Sequence, residues 1–327
     1  MNEQGVYETR LRYCPLNDMN TYSCREYGVV SILNTYFGEY AMLNKNALKI
    51  DMRLNGRDGF DARTDWIWID ADMHTLAEQF YGFSFAVFQK EYMNCIEKIR
   101  EEIEEGRICI ISMDLFWNDY KPDYYKKIHT ALHDQMLVGW TADRFICYTW
   151  FHEYTLAKED VADGCQRLTI FEKKPAALGI EKQLLTEGAE EICRMGKNTE
   201  KIIQGMVYAF EHNLAEDIYA SADELTQVNL FMNLRIMARS RQRFSEYWAY
   251  LIERLQGQLK GSEAGSNKKI GSIFQKIGDI WWKITMILLK YEYVYRQGKA
   301  IDNGLIRDKM LSNIETAARL ERKAMEL

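Results

Sequence analysis

Three absences narrow the class of protein. The seven cysteines form no Cys-x-x-Cys pair or other regular framework, and their odd number indicates reduced thiols rather than a disulfide scaffold. No apolar run reaches membrane-spanning length, because the longest candidate, 280–289, is interrupted by Lys283. Positive charge is not in excess: the formal net charge of −6 argues against a dedicated nucleic-acid binder.

What remains is the composition of an ordinary soluble globular protein, with 47% hydrophobic and 28% charged residues. A length of 327 residues suffices for one large domain or two ordinary ones. The first 13 residues are polar and lack a signal-peptide core, so we expect a cytoplasmic protein. The sequence leaves the oligomeric state open.

The hydrophobic pattern changes character near residue 174. Before it, helical and strand-like periods alternate; after it, long helical periods are separated by polar loops such as 261–266. We therefore predict an α+β domain over 1–174 followed by an all-α helical domain over 175–327. The predicted helices are 24–37, 73–81, 91–105, 181–195, 199–214, 221–258, 268–297 and 304–326. The predicted strands are 83–88, 108–113, 135–140, 144–151 and 167–172, the third and fourth forming a hairpin.

Cys24 has the most informative local setting. Ser23 followed by Glu26 forms a capping box, which makes Cys24 the first residue of a helix that Gly38 ends. Unpaired main-chain N–H groups at a helix start favour the thiolate, the reactive form of cysteine. Cys14, beside Pro15 in a loop, is the competing reactive thiol.

The other cysteines and the aromatic residues of the C-terminal half are expected in the hydrophobic core. For the cysteines we expect small apolar core positions. This group comprises Cys95, Cys109, Cys147 and Cys193, and the aromatic set comprises Tyr247, Trp248, Trp281, Trp282, Tyr291 and Tyr293.

Among the histidines, His133 is the best candidate for a general base because it precedes a predicted strand that would hold its ring. His129 lies four residues earlier, and if that stretch were helical the two would share a face and could bind a metal, but no cysteine or carboxylate cluster stands at ligand spacing. His152 is a more distant alternative base. A cysteine early on a helix and a histidine at a strand start 109 residues later (133 − 24) is the order of the papain-like fold.

A longer pattern surrounds His133: Asp114 closes a strand, an aromatic-rich loop follows over 115–125, and His133 opens a strand that ends in Gly139-Trp140. This pattern resembles the N-terminal domain of butirosin biosynthesis protein H and its relatives. The Cys24 helix, with Leu-Asn-Thr-Tyr-Phe-Gly over 33–38, resembles the nucleophile helix of that family and of bacteriocin-processing peptidases. In the C-terminal half, the resemblance rests on an Arg-rich helix and Trp-containing helices: Arg235, Arg239, Arg241, Arg243, Tyr247-Trp248 and Trp281-Trp282.

The resemblance implies a papain-like cysteine acyltransferase of secondary metabolism. Cys24 would take an acyl group from a carrier-protein thioester and pass it to an amine, with His133 as general base. Asn17 or Asn20 could donate to the oxyanion together with the Cys24 N–H, although both are also ordinary turn residues. No cofactor is expected apart from a phosphopantetheine-linked acyl substrate. The expected partner is an acyl carrier protein or a peptide, not nucleic acid or a membrane.

One departure concerns the group that orients the histidine. The family places an acid or amide on the following strand. Pairing of Trp140 with Arg144 would set Gln135 opposite Thr149 and His133 opposite the region of Phe151, where residues 149–152 include no carboxylate or amide. Thr149 could orient the ring weakly, Glu153 could fold back or Asp114 could approach from its own strand, and Asp134 should face the other way. Two alternatives therefore stay open: a non-catalytic papain-like binding protein, and a cysteine peptidase of the bacteriocin-processing type.

The basic cluster 235–243 also has two interpretations. It could contact an acidic carrier protein or a phosphopantetheine phosphate. More often such a run is a solvated helix face.

Overall fold

The computed structural model describes residues 9–16, 22–54, 59–70, 72–92, 94–118, 129, 132–149, 152–173, 182–212, 229–259, 261–300 and 302–327. The strands are β1 (Thr9–Arg10), β2 (Ile50–Arg53), β3 (Trp66–Ile69), β4 (Phe83–Gln89), β5 (Cys109–Met113), β6 (His133–Trp140), β7 (Arg144–Thr149), β8 (His152–Ala157) and β9 (Cys165–Lys173). The helices are α1 (Cys24–Phe37), α2 (Met73–Tyr81), α3 (Cys95–Glu104), α4 (Lys158–Gly164), α5 (Gln183–His212), α6 (Asn229–Arg254), α7 (Gly261–Arg296) and α8 (Asn303–Met325).

The chain is of mixed α and β structure and divides into two compact units. The first comprises 1–40 and 73–178, and the second comprises 41–72 and 179–327. This division differs from the single predicted boundary after residue 174 in one important respect. The segment 41–72, predicted within the α+β domain, packs with the helices of the second unit. We call the two parts the sheet unit and the helical unit.

The sheet unit contains one antiparallel sheet in the order β4-β9-β5-β6-β7-β8, with β1 also paired to β6. The predicted hairpin of β6 and β7 is present, but Trp140 pairs with Phe145 rather than Arg144. The one-residue difference is absorbed by an irregularity between Leu137 and Gly139. The central strand β5 is buried along its whole length, as expected for a strand covered on both faces.

Helix α1 follows the local signals in its sequence. The Ser23 side chain accepts from the Glu26 N–H and the Glu26 carboxylate accepts from the Ser23 N–H, which completes the capping box. Gly38 ends the helix in the left-handed conformation at φ 71°, where a residue without Cβ is favoured. The helix packs on β6, and its predicted limits are confirmed.

The opposite face of the sheet packs on α3 and α4 in a core of buried apolar side chains that includes three of the cysteines predicted there. Cys95, Cys109 and Cys147 are buried, and Cys193 is exposed, contrary to the prediction. All seven cysteines are free thiols. The predicted helix 91–105 is shorter than expected and begins at Cys95.

The helical unit consists of α5 to α8 together with the β2–β3 hairpin. Asn233 of α6 is fully buried and holds this hairpin: its amide donates to the carbonyls of Ala62 and Asp65 at 3.0 and 2.8 Å and accepts from the Ile67 N–H at 3.0 Å. The polar stretch 261–266, predicted as a loop, is the first part of α7.

The basic cluster 235–243 is not a solvated face. Arg241 and Arg243 are 0% and 1% exposed, and Arg241 makes a two-bond ion pair with Glu321 at 3.0 and 3.1 Å. The aromatic prediction holds only in part: Tyr247, Trp248 and Trp281 are core residues, but Tyr293 is 66% exposed. Among the described residues, no helix combines the length and apolar composition needed to cross a bilayer.

Candidate active site

The thiol of Cys24 lies at the start of β6. Cys24 is the half-buried first residue of α1, and both the main-chain N–H and the carboxylate of Asp134 act on its sulfur. Asp134 directly follows His133, the first residue of β6. The fold therefore brings the predicted nucleophile to the start of β6. The side chain of His133 lies on the other face of that strand, because α1 packs on Met136, whereas His133 alternates with Gln135 and Leu137, and Leu137 belongs to the core on the opposite side of the sheet.

Burial is the largest influence on this thiol. It raises the pKa of Cys24 above its ordinary value, and the Asp134 carboxylate raises it further. The main-chain N–H groups of Asp134, Arg25 and Cys24 itself lower this pKa. The helix start thus acts in the predicted direction, but burial outweighs it, and the resting side chain is a neutral thiol.

His133 also rests in its neutral form. Burial lowers the pKa of the imidazole, and the negative charge of Asp134 opposes that effect. Nδ1 of His133 is buried and has no hydrogen-bond partner in the described part of the chain. A neutral ring with an unoccupied nitrogen is the form that accepts a proton from a thiol.

Neither predicted orienting residue is hydrogen-bonded to Nδ1 of His133. Thr149 is buried at the end of β7, where continuation of the strand register sets it opposite Gln135 rather than His133. The Gln135 carbonyl oxygen accepts from the Tyr154 hydroxyl, and its buried amide nitrogen has no hydrogen-bond partner among the described residues. The face of β6 that carries His133 thus holds two unsatisfied polar atoms at alternate positions.

The carboxylate of Asp114 pairs with a different histidine. Its Oδ2 lies 2.6 Å from Nδ1 of His129, and its Oδ1 accepts from the Phe116 N–H at 3.0 Å. The His129 ring stacks on Phe116 with centroids 4.3 Å apart, although the side chain is 70% exposed. Sequence reasoning named both Asp114 and His129 but did not pair them, and an aspartate at a strand end fifteen residues before a histidine was the available signal.

The remaining predicted residues contribute less. Cys14 is held at the far end of α1, where its N–H donates to Thr35 Oγ1 at 2.9 Å; Thr35 is eleven residues, about 16 Å of helix, beyond Cys24. Asn17 and Asn20 lie outside the described residues. No group of three or more potential metal ligands occurs in the part of the chain that the structure describes.

No protein-family model matches the chain. No curated protein gives a significant match either. The interpretation of the site therefore rests on the geometry given above.

Proposed function

We propose that the sheet unit is a papain-like domain that transfers acyl groups through Cys24. The observation that supports this most strongly is the meeting of a helix-start thiol with Asp134 of β6, directly after His133, whose buried Nδ1 has no hydrogen-bond partner among the residues that the structure describes. Cysteine-dependent acyl transfer needs a base that can reach the thiol. His133 directly precedes the residue whose main-chain N–H acts on Cys24, although the alternation of β6 turns its side chain to the face of the sheet away from α1. The resemblance of the motifs around Cys24 and His133 to the butirosin-type family supports the same assignment.

In the first half-reaction, His133 takes the Cys24 proton as the sulfur attacks the carbonyl carbon of a thioester on a carrier protein. The carbon–sulfur bond to the carrier's phosphopantetheine arm breaks, and the departing thiolate takes the proton from His133. In the second half-reaction an amine attacks the acyl-Cys24 thioester and gives its proton to His133. The Cys24 sulfur then leaves and recovers that proton.

One observation favours a second candidate, a papain-like protein that binds its partner without turnover. The carboxylate that would orient a catalytic imidazole pairs with His129, and burial raises rather than lowers the pKa of Cys24. A site of this kind would still bind an acylated carrier arm or a peptide. It would form no covalent intermediate.

The test is to incubate the protein with a small acyl thioester, acetyl-N-acetylcysteamine, and to measure intact mass and peptide adducts. We expect one acetyl group on Cys24, lost on addition of hydroxylamine as an amine acceptor. Cys24→Ser should abolish the adduct and His133→Gln should slow its formation by about 10²-fold or more.

The matched control is Cys193→Ser, which removes an exposed thiol and should leave the adduct unchanged. Labelling of Cys193 in preference to Cys24 would contradict the proposal. A folded protein that forms no adduct on Cys24 would support the binding protein instead. Loss of the acetyl group to water alone would indicate a hydrolase of the peptidase type.

A further inference from the structure

A buried polar chain crosses three strands beside the start of α1. Ser112 of β5 pairs in register with Asp134 of β6 on one side and with Arg167 of β9 on the other. Ser112 and Asp134 are 1% and 6% exposed. Such a position requires that each polar group be satisfied, because an unpaired buried charge is strongly unfavourable.

The three side chains form one hydrogen-bonded set. The Ser112 hydroxyl donates to Asp134 Oδ1, and Arg167 donates to the Ser112 oxygen from Nη2 at 2.7 Å and from Nε at 3.2 Å. Arg167 Nη2 also lies 3.7 Å from Asp134 Oδ1. A positive charge therefore stands next to the Asp134 carboxylate, with the serine hydroxyl bonded to both.

This chain lies on the face of the sheet that carries α1. A methyl group built on Gly28 would come within 2.8 Å of Ile110 and 3.1 Å of Met136, so α1 rests directly on those two side chains. Ser112 and Asp134 are two positions along the same strands, and alternate residues of a strand share a face. The polar chain thus continues the surface on which the first turn of α1, with Cys24, is seated.

We propose that Asp134 and Arg167 are positioning residues that set the reactivity of the Cys24 thiol by opposing charges. The main-chain N–H of the anchored Asp134 favours the thiolate. Its carboxylate disfavours the thiolate, and Arg167 offsets that negative charge. This inference concerns the same thiol as the proposed function and rests on it for its catalytic meaning.

Other charged groups near the thiol are few among the described residues. Arg25 follows Cys24 and is exposed to solvent, so water screens its charge. The Glu26 carboxylate is hydrogen-bonded to the Ser23 N–H in the capping box. His133 is kept neutral by burial at pH 7. Substitution of Asp134 or Arg167 should therefore change the net charge next to the Cys24 thiol.

The experiment measures the rate of Cys24 alkylation by iodoacetamide between pH 6 and 10 in the full-length protein. Asp134→Asn removes a negative charge, so we expect alkylation about three- to tenfold faster at pH 7 and a pH midpoint moved down. Arg167→Met exposes the sulfur to an unbalanced carboxylate, so we expect alkylation slower by a similar factor and the midpoint moved up. The double variant should return close to wild type.

A purely structural role predicts a different outcome. Both single variants would then loosen the same site and move the rate in one direction, and the double variant would be worse than either. That result overturns the proposal, as does an unchanged pH midpoint in all variants. Arg144→Met is the matched control, because Arg144 also donates to a side chain and a carbonyl of a neighbouring strand, those of Thr155.

Circular dichroism of each variant separates altered thiol reactivity from unfolding. If Arg167→Met fails to fold, Arg167→Lys takes its place, since it keeps the positive charge but loses the paired N–H donors. The pH midpoint of Cys24 alkylation should then stay near that of the wild type in Arg167→Lys and still be lowered in Asp134→Asn. Because the readout is alkylation, the proposal can hold even where no acyl transfer occurs. Failure of the acetyl-adduct test therefore does not count against it.

Discussion

Removal of Arg241 is the most demanding test of the helical unit. The guanidinium is fully buried, donates two bonds to Glu321, and also donates to Ser240 and Thr199 at 2.9 and 3.0 Å. Arg241→Met keeps much of the side-chain length. Among the described residues, it leaves the carboxylate of Glu321, itself 2% exposed, with the Trp281 indole N–H at 3.4 Å as its remaining donor.

The expected cost follows from that uncompensated charge. Breaking a buried ion pair by removing one partner typically costs about 3–5 kcal/mol, whereas replacing both partners with apolar residues is often neutral. We therefore expect Arg241→Met to lower the free energy of unfolding of the helical unit by about 3–5 kcal/mol. Arg241→Met with Glu321→Leu should recover at least half of that loss.

Urea unfolding followed by tryptophan fluorescence provides the measurement, with separate transitions fitted where the two units unfold independently. Arg194→Met is the matched control. The Arg194 side chain is 64% exposed and forms ion pairs with Glu190 and Glu191, so its removal should lower the free energy of unfolding by less than about 1 kcal/mol. A cost for Arg241→Met below about 1 kcal/mol would refute the reasoning. So would a double variant no more stable than the single one.

Three further predictions concern the sheet unit. Gly28→Ala should lower the unfolding free energy by about 1–3 kcal/mol, because the added methyl meets Ile110 and Met136; unchanged stability in thermal denaturation would show that these side chains yield freely. Ser23→Ala removes the N-cap of α1 and should cost about 1 kcal/mol in urea unfolding, with Ser23→Thr as the conservative control. For His133, the folded-state pKa lies below the unfolded one, so the unfolded chain binds more protons and stability falls as the pH drops through about 6.5 and below. His133→Gln should flatten that decline between pH 7 and 5, and an equally steep decline in the variant would count against a buried neutral imidazole.

Helix α1 could be predicted to the residue because everything that defines it is local. Ser23 and Glu26 cap each other within one turn, and Gly38 supplies the left-handed end. The same holds for α2, which Gly82 ends at φ 65°. Elements with start and stop signals inside their own sequence need no tertiary information.

Features that depend on distant partners could not be predicted. The buried state of Arg241 depends on Glu321, 80 residues later, and an arginine run without its partner is indistinguishable from a solvated face. The assignment of 41–72 to the helical unit depends likewise on Asn233. Strand β8 and helix α4 lacked strong periodicity of their own and were not predicted.

At the candidate site, the sequence predicted which elements would meet but not the side-chain pairing. The Cys24 thiol lies at Asp134, the residue after His133, and Asp134 faces α1 while the His133 side chain lies on the other face of β6. The carboxylate of Asp114 turns to His129 because that ring stacks on Phe116 within reach. Such choices between neighbouring partners depend on loop geometry, which spacing along the chain does not determine.

The bonds from Asn233 to the hairpin segment also have a consequence for biosynthesis. The Ile67 N–H leaves the ribosome 166 residues ahead of its acceptor, a delay of roughly 8–33 s at ordinary translation rates. During that time the segment that interrupts the sheet unit has no partner for these main-chain groups. While the sheet unit is being synthesised, the segment 41–72 therefore lacks the hydrogen bonds that Asn233 supplies. A fragment that stops before α6 would never form them.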